Sequence, residues 1–164
     1  MQILSQRQIQ QKVKRIAIEI LERNFAEAEI ILAGINNNGL EFANLLLQSM
    51  LEMTGKPITL TRIRLNPANP LDSEAMIEMP LEQIEGKTVI IVDDVANTGR
   101  TFFYAIAPLL KILPKKIEVA ALVDRKHKAF PIEVNYVGLS LATTIQENIE
   151  VHLREVEEWV VNLN

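Results

Sequence analysis

The sequence predicts a single α/β domain with a mostly parallel central sheet and helices over both of its faces. Three observations carry this. Ile30–Ile35, Thr88–Val92 and Ile117–Val123 are apolar runs without polar alternation, as expected of strands buried on both sides. Segments with helical spacing of apolar residues stand between them, and such alternation builds helices onto a sheet. The 164 residues, 48% of them hydrophobic, suit one domain spanning the whole chain with a core of its own.

Taken in order, Arg7–Asn24 places Ile9, Val13, Ile16, Ala17 and Ile20 on one face and predicts an amphipathic helix. Ile30–Ile35 predicts a strand that ends in a loop, Asn36-Asn37-Asn38-Gly39. Leu40–Met53 predicts a helix closed by Gly55 and Pro57. Ile58–Leu65 alternates as a strand does, and Asn66–Ser73, with two prolines, predicts a loop. Ala75–Met79 predicts a short strand, and a Glu85-Gly86-Lys87 turn leads into Thr88–Val92. Thr101–Leu113 predicts a helix kinked at Pro108. Ile117–Val123, Val134–Leu139 and a late Ile149–Leu153 complete the strands. The apolar tail at Trp159, Val160, Val161 and Leu163 is expected to pack on its own domain.

Composition narrows the chemistry. With no cysteine, a disulfide framework, a thiolate metal site and a cysteine nucleophile are excluded. The polar N-terminal residues do not read as a secretory signal and no apolar run reaches membrane-spanning length, so a cytoplasmic protein with no membrane partner is expected. The net charge of −4 argues against a chain dominated by nucleic-acid binding. Lys111, Lys115, Lys116, Arg125, Lys126 and Lys128 lie close in sequence, and solvated surface charge is their simplest reading.

The segment Val89–Thr101, VIIVDDVANTGRT, carries the chemistry. Its apolar strand delivers Asp93 and Asp94 to a carboxyl end, where parallel sheets bind ligands. A turn through Gly99 then opens a helix at Arg100 and Thr101. Unpartnered N–H groups at a helix start favour an anion. Gly99 allows close backbone approach, and Thr98 and Thr101 add hydroxyl donors. Two carboxylates repel phosphate but accept hydrogen bonds from a sugar diol. The segment therefore suits a ribose 5-phosphate: hydroxyls on Asp93 and Asp94, phosphate in the loop. Neither a dinucleotide fingerprint nor a P-loop is present.

This string resembles the phosphoribosyl pyrophosphate (PRPP) motif of type I phosphoribosyltransferases. The chain is most similar to the PyrR proteins, which regulate pyrimidine operons and often catalyse uracil phosphoribosyl transfer. The similarity runs nearly end to end, through Arg15-Ile16-Ala17, Gly34-Ile35, Arg62, Leu122-Val123-Asp124-Arg125 and Tyr136-Val137-Gly138. It implies the type I fold with a small hood. By position, it implies ribose contacts from Asp93 and Asp94. The 5'-phosphate falls to Ala96, Asn97, Thr98, Gly99, Arg100 and Thr101. Candidates for pyrophosphate are Asn36, Asn37, Asn38, Gly39, Arg62 and Arg125, and for the base Tyr136, Val137 and Gly138. It further implies PRPP and a nucleobase or nucleoside monophosphate as partners, a homo-oligomer, and Mg²⁺ bound mainly through PRPP rather than by a dedicated set of protein ligands.

Two departures bear on function. PyrR proteins usually place Lys-Thr-Arg where this chain has Asn36, Asn37 and Asn38, and neutral donors bind phosphate about half as strongly as charged ones. Ile18 replaces a histidine implicated in RNA contact, and Gln146-Glu147-Asn148 stands where lysine is common, so RNA is a disfavoured partner. Three readings follow: a transferase acting on uracil or a related pyrimidine, an RNA-binding regulator, or a sensor that keeps the ribose-phosphate site without turnover.

Overall fold

The computed structural model describes residues 1–142 and 146–164. Its main sheet has six strands: β2 (Ile30–Ile35), β3 (Ile58–Arg64), β4 (Met76–Ile77), β5 (Thr88–Ala96), β6 (Lys116–Arg125) and β7 (Tyr136–Leu141). They lie in the order β4-β3-β2-β5-β6-β7, parallel except for the short edge strand β4. A separate antiparallel sheet, β1-β9-β8, is formed by β1 (Gln2–Leu4), β8 (Ile149–His152) and β9 (Val160–Leu163). This is the expected hood, and it consumes the apolar C-terminal tail: Val161 is fully buried and Trp159 packs against the same cluster.

Helix α1 (Gln6–Arg23) starts at a capping box, in which Gln8 N–H donates to Ser5 Oγ and Ser5 N–H donates to Gln8 Oε1. The predicted stripe Ile9, Val13, Ile16, Ala17 and Ile20 is its buried face. With α2 (Asn36–Leu51) it covers one side of the main sheet and meets Leu32, Ile90 and Leu122. Helix α3 (Arg100–Ala105) and a following 3₁₀ turn cover the other side, over Ile31, Ile91 and Val119. Fully burying each such side chain contributes about 1.5–3 kcal/mol.

Three expected boundaries moved. Asn36–Gly39 is not a loop but the first turn of α2, entered through a left-handed Asn36 with φ of 51°. Strand β5 does not stop at Val92. Its ladder with β6 pairs Val95 with Val123 and Ala96 with Asp124, so both aspartates lie within the strand. The helix expected over Thr101–Leu113 ends at Ala105 and tightens into a 3₁₀ turn over Ala107–Lys111, because Pro108 has no N–H to continue the α-helical ladder.

The topology places the site. From β2 the chain passes to β3 on one side, whereas β5, β6 and β7 build outward on the other. The connections leaving β2 and β5 therefore diverge, which opens a crevice between their carboxyl ends. Gly39 lets α2 close on that crevice: a Cβ there would stand 2.6 Å from the Val92 carbonyl oxygen.

Candidate active site

A cavity of about 490 Å³ lies at the β2–β5 crevice. Asp93 and Asp94 line it together with Asn36, Asn37 and Asn38. Asp93 accepts the Asp94 N–H at 2.9 Å, and Asp94 accepts the Val95 N–H at 2.8 Å. No cation balances either carboxylate among the described residues. Burial pushes the Asp93 carboxyl well above its ordinary range, and the neighbouring Asp94 charge adds to the effect. Burial likewise raises Asp94. Such a pair lacks positive charge and offers oxygen acceptors, so a hydrogen-bonding diol and a hard cation both suit it.

Next to this cavity, a pocket of about 400 Å³ is enclosed by Asn97, Thr98, Gly99, Arg100 and Thr101. Gly99 turns the chain into α3 with φ of 87°, a left-handed angle that favours glycine. The N–H groups of Ala129 and Phe130 both donate to the Thr98 carbonyl and hold the loop from below. Arg100 donates to the Pro67 carbonyl at 2.7 Å, tying the Asn66–Ser73 loop to the pocket. Ala96 is buried behind the loop.

The pyrophosphate candidates separate into three groups. Asn36, Asn37 and Asn38 line the main cavity, and Gly39 is packed behind them. Asn36 has a structural duty: its amide donates to the Leu65 carbonyl at 2.9 Å and accepts the Leu65 N–H at 3.1 Å. Arg62 donates to Asn37 Oδ1 at 2.8 Å and pairs with Glu78 at 2.7 Å, so it stands behind the cavity wall. Glu78 also binds Arg64, and hydrogen bonds from the two guanidinium groups hold its carboxyl below the ordinary value. Arg125 reaches Asn97 Oδ1 at 3.3 Å, on the phosphate-loop side rather than beside α2.

Tyr136, Val137 and Gly138 do not join this wall. Tyr136 is fully buried, with its hydroxyl donating to Glu118 at 2.8 Å and accepting from Asn24 at 3.0 Å. The Arg15 guanidinium donates to the carbonyls of Val137 and Gly138 at 2.7 and 2.8 Å. Four of the clustered lysines are paired with carboxylates: Lys111 with Glu74, Lys115 with Glu27, Lys116 with Glu118 and Lys128 with Asp124.

Residue-by-residue reading missed Arg154 and Ile149 of the hood and Pro67 of the loop, all of which line the main cavity. Nothing local marks Arg154, which in sequence is one more charge among the glutamates that follow it.

Comparison with known proteins agrees with this geometry. The family model described as phosphoribosyl transferase domain matches residues 1–155. The chain is 35% identical to the bifunctional protein PyrR of Chloroflexus aurantiacus, over 95% of this chain and 90% of that protein. It is 36% identical to the bifunctional protein PyrR of Pelotomaculum thermopropionicum, over 99% and 94%. Among solved structures, the hypoxanthine phosphoribosyltransferase of Trypanosoma cruzi superposes with a TM-score of 0.76 at 18% identity, covering 98% of this chain and 95% of that one. A hypoxanthine-guanine phosphoribosyltransferase of Bacillus anthracis gives 0.72 at 23% identity, over 85% and 81%. These two share the fold. No helix among the described residues is long and apolar enough to cross a membrane. A sugar-phosphate motif at the end of β5, a hood above it and a family match over nearly the whole length converge: this chain belongs to the phosphoribosyltransferase family and is similar to the PyrR proteins.

Proposed function

We propose that this protein transfers the 5-phosphoribosyl group of PRPP to uracil or a related pyrimidine, giving the nucleoside monophosphate and pyrophosphate. One observation carries the reading. Asp93 and Asp94 share one cavity with Asn97 and Thr101 of the loop and with Asn36, Asn37 and Asn38 of the first turn of α2. That arrangement offers a place in line for a diol, a 5'-phosphate and a pyrophosphate.

In this reading Asp93 and Asp94 accept hydrogen bonds from the ribose 2'- and 3'-hydroxyls. The N–H groups and hydroxyls around Thr98 and Thr101 hold the 5'-phosphate. The bond from C1' to the pyrophosphate oxygen breaks with its electron pair on the leaving group. A ring nitrogen of the base bonds to C1' and gives up its proton to solvent. The transition state is cationic at the ribose, and the half-buried carboxylates below it are oriented for that charge before it develops. Fixing both reactants in one cleft supplies the remainder of the advantage. The two aspartates fit a hard cation carried in with PRPP, and Mg²⁺ would neutralise the leaving pyrophosphate there. Ile149 of the hood offers the apolar wall a flat base needs.

The test is incubation with PRPP, Mg²⁺ and labelled uracil. Nucleotide formation well above a protein-free blank is expected, whereas none across a panel of bases refutes the transfer reading. A sensor without turnover would then show as tight PRPP or nucleotide binding in the same preparation.

A further inference from the structure

We propose that Arg154, in the turn that leaves β8, is the cation that holds the pyrophosphate end of PRPP. The proposal rests on the phosphoribosyl-transfer reading and supplies what that reading lacks, a positive charge facing the leaving group. Around the main cavity Arg154 is the one cationic side chain among the described lining residues. It also lines an adjoining hood-side cavity of about 460 Å³, which shares Asn38, Asp94 and Ile149 with the first.

Other arginines near the cleft are already engaged. Arg62 is held by Glu78 and Asn37, Arg100 by the Pro67 carbonyl, and Arg125 points at Asn97. Arg154 makes no hydrogen bond or ion pair among the described residues, and its side chain is exposed. A guanidinium presents a planar fork of donors that matches two phosphate oxygens at once. Asn38 and Arg154, which line the same cavities, would hold pyrophosphate together, one with a neutral amide and one with charge.

The backbone on either side of Arg154 is constrained. Leu153 before it is buried in the core, with 7% exposure. Glu155 after it has φ of 53°, a left-handed angle rare in a residue with a side chain. Among the described residues Asn36 is the only other non-glycine with such an angle, and it lines the same cavity as Arg154. Strained backbone of this kind persists where the surroundings over-determine it. This hood turn is therefore a defined structure that presents Arg154 to the cavity.

Calorimetric titration of wild type, Arg154→Ala and Arg154→Lys with PRPP and with ribose 5-phosphate, each with Mg²⁺, tests the assignment. Loss of a charge-assisted contact predicts PRPP binding about tenfold or more weaker in Arg154→Ala. Ribose 5-phosphate affinity is expected to stay within about twofold, because that ligand has no pyrophosphate. Arg154→Lys, which keeps charge without the fork, falls between wild type and alanine. PRPP binding by Arg154→Ala within twofold of wild type overturns the proposal while leaving the transferase reading intact. Equal losses for both ligands also overturn it, since they mean a general disturbance of the site. If wild type binds neither ligand, both readings fall together.

Discussion

Asn36 holds the turn between β2 and α2 to the end of β3, and replacing it is expected to loosen the whole pyrophosphate wall. The magnitude follows from three losses in Asn36→Ala. Two hydrogen bonds disappear, to the Leu65 carbonyl at 2.9 Å and from its N–H at 3.1 Å. Each contributes about 1 kcal/mol. Alanine must also take a backbone φ of 51°, which costs about 1 kcal/mol more than asparagine, whose amide supports that angle. The expected destabilisation is about 3 kcal/mol, a fall in Tm of roughly 6–12 °C for a domain of this size. Urea unfolding measures it, with the midpoint falling at unchanged slope. Asn36→Gly separates the causes, because it keeps the angle and loses only the amide. Glycine is expected to be less damaging than alanine by about 1 kcal/mol. A loss below about 0.5 kcal/mol in Asn36→Ala, or glycine worse than alanine, refutes the reasoning.

Asp93→Asn is expected to stabilise the fold while weakening PRPP binding. The folded-state pKa of Asp93 is raised, so folding is favoured while the group is protonated, and that advantage fades as pH rises through the folded-state value. The Tm difference between variant and wild type is therefore expected to be small below about the unfolded pKa of 3.8 and to widen above it; a constant difference across pH refutes the assignment. Tyr136→Phe leaves Glu118 and Asn24 without their shared hydroxyl partner and is expected to cost about 1–3 kcal/mol in urea unfolding. Because Tyr136 lies away from the cleft, transferase KM is expected to stay unchanged, and a large KM shift would return it to the base site.

The sugar-phosphate half of the site was readable because it is local. A strand, two carboxylates, a glycine turn and a helix start follow one another in thirteen consecutive residues, Val89–Thr101, and each has a role set by residue type. The buried faces of α1 and of strands β2, β5 and β6 were readable for the same reason, since periodicity is a property of neighbouring residues. Strand ends were less so. The extension of β5 through Asp93 and Asp94 depends on pairing with β6, and a ladder partner overrides the local turn signal.

Which way Tyr136 faces could not be read from the short run Tyr136–Leu139, whose residues carry no polar alternation although the strand buries Tyr136 and Gly138 more than Val137 and Leu139. The start of α2 at Asn36 depended on Leu65, a partner on the far side of a helix and a strand. The sequence alone determined the α/β class and the family, both encoded in short-range pattern. Tertiary structure alone decided the charge around the cleft. It paired Arg62 with Glu78 and Arg100 with the Pro67 carbonyl, and it brought Arg154 of the hood to the lining of the cavity. The physical reason is that electrostatic partnership is set by distance in space, and the fold brings together side chains that lie far apart along the chain.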